Sequence, residues 1–225
     1  MKISIQKLTY FTIFAALFIV PAGFTGEEQS HDRTGDPYTL STCPVSGKEL
    51  GSMGEPIIYD HEGREVRFCC AGCTPQFEKD PAKYLLKIDE EMIKQQLEYY
   101  PLETCLISGQ KLGSMGKPLD KIYNNRLVRF CCSGCLGKFE TNQEEFHSKL
   151  DQAVIEKQSK DYPLEVCAVS GQKLGSMGKP VDMIIGNRLV KLCCAGCEGS
   201  LKKEPRKYLE KLDTVEKATG VQTDK

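Results

Sequence analysis

The chain has 225 residues, with 30 Lys+Arg against 31 Asp+Glu and a formal net charge of −1. No basic excess exists to neutralise phosphates, which excludes a nucleic-acid partner held by bulk charge. A composition that is 40% hydrophobic and 27% charged fits a folded soluble chain. Twelve Cys against only three His (His31, His61 and His147) excludes histidine-rich metal sites and His-based triads. The cysteines themselves demand a disulfide, metal or redox account.

In chain order, residues 1–24 come first. Lys2 and Lys7 precede an apolar run from Leu8 to Phe24, short of the ~20 residues of a spanning helix. This reads as a signal peptide, with Val20-Pro21-Ala22 offering cleavage after Ala22, or, if retained, as an N-terminal anchor. The first cysteine is Cys43, so none stands at the cleavage point for lipidation. Either way the remainder is expected outside the cytoplasm, periplasmic or extracytoplasmic. Residues 25–37, rich in Gly, Glu, Ser, Asp and Thr, read as a flexible leader.

The body repeats itself. Cys43, Cys105 and Cys167 stand 62 residues apart, and Cys69/Cys131/Cys193, Cys70/Cys132/Cys194 and Cys73/Cys135/Cys197 keep the same step. Such periodicity predicts three tandem modules, at 38–99, 100–161 and 162–225, coupled mainly to their nearest neighbours. Each is expected to be α+β: a cysteine knuckle (Cys43-Pro44-Val45-Ser46-Gly47 in the first), a β-hairpin, then a helix. The hairpin turns fall on Glu62-Gly63, Asn124-Asn125 and Gly186-Asn187, pairs that tolerate positive φ. In the returning strands Val66/Phe68, Val128/Phe130 and Val190/Leu192 face one way, with Arg67, Arg129 and Lys191 on the other. Asp80-Pro81 and Glu204-Pro205 mark helix starts, and Thr141-Asn142 can cap in the middle copy. Tyr84/Ile88, Phe146/Leu150 and Tyr208/Leu212 are i,i+4 pairs on one apolar stripe, expected to pack the core.

A unit of 62 residues is too small to rest on its apolar core, which seldom contributes more than ~3–5 kcal/mol below ~70–80 residues. A thiolate-bound ion would supply roughly 10–16 kcal/mol of apparent binding energy to folding; two disulfides would stabilise by ~2–4 kcal/mol each. Spacing favours metal: Cys69 and Cys73 are i,i+4 and Cys70 and Cys73 are i,i+3, so either pair can face the knuckle cysteine. A strand ending at the cluster aims Cys69 and Cys70 at opposite faces, so both need not bind one ion. Disulfides would force adjacent cysteines to different partners, although an oxidising compartment keeps that alternative open.

Cys-Pro-Val-Ser-Gly, then Arg67-Phe68-Cys69-Cys70-Ala71-Gly72-Cys73, Phe77, Pro81 and Tyr84 resemble the TRASH and YHS domains. These are small metal-binding modules related to a treble-clef-like zinc finger of the large ribosomal subunit. The resemblance covers Tyr38 to Asp89, Tyr100 to Asp151 and Tyr162 to Asp213, with Leu192 and Leu201 replacing phenylalanines in the third copy. It implies Cys43/Cys69/Cys73, Cys105/Cys131/Cys135 and Cys167/Cys193/Cys197 as ligands, and a role in heavy-metal sensing, trafficking or resistance. Where the ribosomal relatives can carry a second knuckle cysteine, this chain has Ser46, Ser108 and Ser170. Cys70, Cys132 and Cys194 would supply a fourth thiolate; without them each site is three-coordinate, which suits Cu(I) better than structural zinc.

Met53, Met115 and Met177 recur in Gly-Ser-Met-Gly loops. They are either extra soft ligands or, as the plainer reading has it, plugs in the small core. His61 reads as a solvated residue at its turn. No nucleophile triad, carboxylate pair or phosphate loop recurs, so the expected protein is not an enzyme. It is an exported heavy-metal binder holding zinc or copper(I), up to one ion per module. The partners expected are metal ions and a metal exporter or other metal-handling protein, with membrane contact only through an uncleaved N-terminus. The rivals are a disulfide-stapled interaction module and, on the Cys70-x-x-Cys73 spacing, a periplasmic thiol oxidoreductase.

Overall fold

The computed structural model describes residues 35–219; the expected signal segment, and all but the last residues of the expected leader, lie outside this range. Three antiparallel hairpins, β1 (Ile57–His61) with β2 (Arg64–Phe68), β3 (Leu119–Tyr123) with β4 (Arg126–Phe130), and β5 (Val181–Ile185) with β6 (Arg188–Leu192), form three separate two-stranded sheets. Each pair closes on the same register, His61 opposite Arg64, Tyr123 opposite Arg126 and Ile185 opposite Arg188. The intervening two-residue turns are those read from the sequence. Asn124 and Asn125 adopt φ of 46° and 69°, and Gly186 and Asn187 adopt 55° and 62°, the left-handed pair that matches strand twist.

Two helices, rather than the single one expected, follow each hairpin. The short ones are α1 (Thr74–Lys79), α3 (Ser133–Glu140) and α5 (Glu198–Lys203); the long ones are α2 (Pro81–Leu97), α4 (Gln143–Gln158) and α6 (Pro205–Thr219). The chain breaks between them because Asp80 leaves helical geometry, accepts a hydrogen bond from the Lys83 N–H at 3.3 Å and hands on to Pro81. In the middle copy the expected side-chain cap is absent: Asn142 bonds Glu145 and Thr141 returns to the Lys138 carbonyl. Among the described residues no helix is long and apolar enough to cross a membrane.

Three hydrophobic clusters result, one per hairpin, and cysteines are part of each. The first joins Cys43, Cys69 and Cys73 to Val66, Phe68, Phe77, Ile88 and Met92. The second and third place Phe130, Phe139 and Leu150, or Leu192, Leu201 and Leu212, around the corresponding cysteines. The expected i,i+4 stripes do pack here, and leucines fill the phenylalanine positions of the third cluster.

Polar side chains tie the hairpins to one another. Asn125 Nδ2 donates to the Glu65 carbonyl at 2.8 Å while its Oδ1 accepts from Arg64 Nε at 2.8 Å. One step on, Asn187 Nδ2 donates to the Leu127 carbonyl at 2.9 Å and Oδ1 accepts from Arg126 Nε at 2.9 Å. The long helices repeat the pattern: Gln96 on α2 bonds the Asn125 carbonyl and Leu127 N–H, both at 2.8 Å, and Gln158 on α4 does so with Asn187 and Leu189. Arg64, Arg126 and Arg188 then pair with Asp89, Asp151 and Asp213.

The short helix that follows the third hairpin also reaches the first hairpin. Arg67 Nη1 and Nη2 donate to the Lys203 and Lys202 carbonyls at 2.7 and 2.9 Å, at the C-terminal end of α5. Arg67 therefore lies opposite Val66 as expected, yet is buried. A chain coupled only between sequence neighbours would lack this contact. The end of the expected leader is likewise docked: Asp36 accepts from the Gly186 N–H at 2.7 Å and its own N–H donates to the Asn124 carbonyl at 3.0 Å. A Cβ at Gly35 would stand 2.3 Å from Asn124 Cβ, so only glycine passes there.

Candidate metal centre

The knuckle fixes the first cysteine of each group. Cys43 N–H donates to the Lys48 carbonyl and Gly47 N–H to the Cys43 carbonyl, each at 2.8 Å, and Gly47 turns the chain with φ of 70°. The same two bonds recur around Cys105 and Cys167. The second and third cysteines come from the junction where a strand becomes a helix. Phe68 ends β2, the chain bends at Cys69, Cys70 is extended, and a 3₁₀ turn over Ala71–Cys73 brings the Cys73 sulfur back to that of Cys69.

The result is three groups of sulfurs, Cys43/Cys69/Cys73, Cys105/Cys131/Cys135 and Cys167/Cys193/Cys197. Within each group every sulfur lies within 4.8 Å of the others, a set that could hold a metal ion. Sγ of Cys69 and Cys73 are 3.8 Å apart, Cys131 and Cys135 3.7 Å, and Cys193 and Cys197 3.9 Å. All twelve cysteines are free thiols, and these separations far exceed the ~2.05 Å of a disulfide.

Cys70, Cys132 and Cys194 stand outside these groups but at their edge. Cys70 Sγ is 3.9 Å from Cys73, Cys132 is 3.9 and 3.8 Å from Cys131 and Cys135, and Cys194 is 3.9 Å from Cys193. They are half-buried where Cys43 and Cys69 are buried, as expected of adjacent residues on opposite faces of extended chain. The knuckle serines are part of the centre: Ser46, Ser108 and Ser170 place Oγ 3.2, 3.2 and 3.3 Å from Sγ of Cys69, Cys131 and Cys193.

These surroundings divide the thiols. Burial pushes the Cys43 thiol up, but hydrogen bonds from the Ser46 hydroxyl and from the N–H groups of Ser46, Cys69 and Val45 outweigh it and bring it down to about 7. The same balance brings Cys105 and Cys167 to about 6. Burial together with the neighbouring thiols pushes Cys73, Cys135 and Cys197 up to about 12. Each group thus pairs one thiol poised as thiolate with one that holds its proton until a cation displaces it.

The methionines are not core plugs. Met53, Met115 and Met177 are 54%, 66% and 64% exposed, because the positive-φ glycines on both sides swing each loop outward. Met53 Sδ accepts from Lys48 Nζ at 3.6 Å. His61 ends β1 with its ring edge-on to Phe77 at 5.2 Å rather than in a solvated loop. Comparison with known protein families, curated proteins and solved structures finds no match to this chain. The likeness to TRASH and YHS domains therefore stands on the motif residues themselves.

Proposed function

We propose that the chain is an exported, non-enzymatic heavy-metal-binding protein built of three tandem modules, each taking one ion as cargo through its three clustered cysteines. The observation that carries this is the threefold recurrence of three mutually close sulfurs, with no histidine or carboxylate in any group. All-sulfur, three-donor sets favour soft monovalent copper over zinc, which prefers four donors. The resemblance to TRASH and YHS domains supports a place in metal trafficking, sequestration or resistance, with a metal exporter or another metal-handling protein as partner. Zinc is the second reading, favoured by the nearness of Cys70, Cys132 and Cys194 as fourth sulfurs.

Because the ion forms part of each small core, its removal loosens the surrounding packing. Binding releases the protons held on Cys73, Cys135 and Cys197, so affinity falls as pH drops. Native mass spectrometry of reduced protein titrated with Cu(I) or zinc tests the reading. Three ions per chain, held more tightly at pH 8 than at pH 6, are expected. Protein that binds no ion while its thiols are reduced overturns it.

A further inference from the structure

Cys70, Cys132 and Cys194 are placed to hand an ion to and from the buried sulfurs rather than to hold it. We infer that they are exchange thiols, the first and last ligands a metal ion meets, and that the partner is a thiolate-bearing carrier of Cu(I). This rests on the metal-binding reading above and assigns a role within it.

Three observations carry it. The sulfurs sit within 3.8–3.9 Å of one or two members of each group, close enough to share an ion in passing. They are not part of the mutually close sets, so a resident fourth bond would require the extended residue before the helix to turn. They are also the more accessible sulfurs of the first two groups: Cys43 and Cys69 are 1% exposed, whereas Cys70 is half-buried, and in the third group Cys194 shares that half-buried state with Cys197. A donor's thiolate can therefore reach an ion on this sulfur more readily than one on the buried sulfurs of Cys43 and Cys69.

The exchange is a ligand substitution without redox change. On entry the bond between Cu(I) and the donor's sulfur breaks as one to Cys70 Sγ forms, and the Cys70 proton passes to water. The bond to Cys70 then gives way as the ion settles on Cys43, Cys69 and Cys73, the thiols among them releasing their protons and Cys70 regaining one. Export runs the same steps in reverse.

The test uses the full chain with Cys70→Ser, Cys132→Ser and Cys194→Ser together, reduced, beside the unaltered protein. Stoichiometry and affinity come from titration against a chromophoric Cu(I) chelator. The transfer rate comes from stopped-flow mixing of the loaded protein with excess glutathione. The expected variant keeps three ions with affinity little changed, while transfer slows by about tenfold or more. X-ray absorption of the loaded unaltered protein is expected to count three sulfurs per copper. A variant that loses its ions, or four sulfurs per copper, overturns the exchange role in favour of a resident ligand. An unchanged transfer rate overturns it outright. An unaltered protein that takes up no copper instead overturns the metal-binding reading, and the exchange role with it.

Discussion

Ser46, Ser108 and Ser170 decide the character of the three sulfur groups. Each stands where a second knuckle cysteine would make a four-sulfur site, and each instead presents a hydroxyl 3.2–3.3 Å from the second cysteine of its group. A hydroxyl is a poor ligand for a soft ion, so the serine helps to bring down the knuckle thiol of its group, Cys43, Cys105 or Cys167, without taking up a coordination position. Replacing all three, Ser46→Cys, Ser108→Cys and Ser170→Cys, is expected to create tetrahedral sulfur sites. Zinc affinity should rise on the order of tenfold or more, the scale on which even an outer-shell partner acts, with Cu(I) affinity less affected. Competition against a chromophoric zinc chelator reads the change; zinc affinity left where it was would mean that Cys70 and its counterparts already fill the fourth position.

At the scale of elements, the buried asparagines Asn125 and Asn187 at the hairpin tips do more than turn the chain. Asn125 accepts positive φ and also joins Arg64, the Glu65 carbonyl and the Asp36 carbonyl, and it is fully buried. Asn125→Ala loses both functions and is expected to cost about 2–4 kcal/mol. Asn125→Gly keeps the backbone and loses only the bonds, and should cost about 1–3 kcal/mol. Urea unfolding of the reduced protein separates them, and a glycine variant as stable as the parent would show the bonds to be dispensable. The turn itself was legible in the sequence, because Asn-Asn and Gly-Asn are residue pairs that bear left-handed geometry. So were the knuckles and the hairpins, each written in local spacing; the spacing left the choice between Cys69 and Cys70 open, and the resemblance to TRASH and YHS domains was what pointed to the trio. The partners of Asn125 and Gln96 were not, since a polar residue that bonds 30 or 60 positions away looks in sequence like any surface residue. The methionines misled for a related reason: an apolar side chain in a short loop suggests burial, while the glycines beside it turn the loop outward.

At the scale of the whole molecule, the described residues belong to one compact unit, and the contacts explain why the three sulfur groups should not behave as independent beads. Asn125 and Gln96 fasten the second hairpin to the first hairpin and helix, and Asn187 and Gln158 fasten the third to the second. Arg67 returns from the first hairpin to α5, held by Glu65 at 2.6 Å. Free energy lost in one sulfur group therefore passes to its neighbours through buried polar bonds that leave donors unsatisfied if one side moves. Cys43→Ser is expected to remove one ion and to lower amide-exchange protection in α5 and in the second hairpin as well as in β1 and β2. Stripping all metal with a chelator under reducing conditions is expected to give one cooperative loss of helix by circular dichroism, not three steps. Arg67→Met in the metal-loaded protein cuts the return contact and removes the Arg67 guanidinium from Glu65, which keeps its bond from the Tyr38 N–H, a loss of up to about 3–5 kcal/mol on the scale of a broken buried pair. Combined with Cys43→Ser, it should spare α5 while the second hairpin still loosens, because the bonds of Asn125 remain. Hydrogen exchange resolved by peptide distinguishes the outcomes: loosening confined to the first hairpin in Cys43→Ser alone would mean that the groups fold independently, despite the contacts that join them.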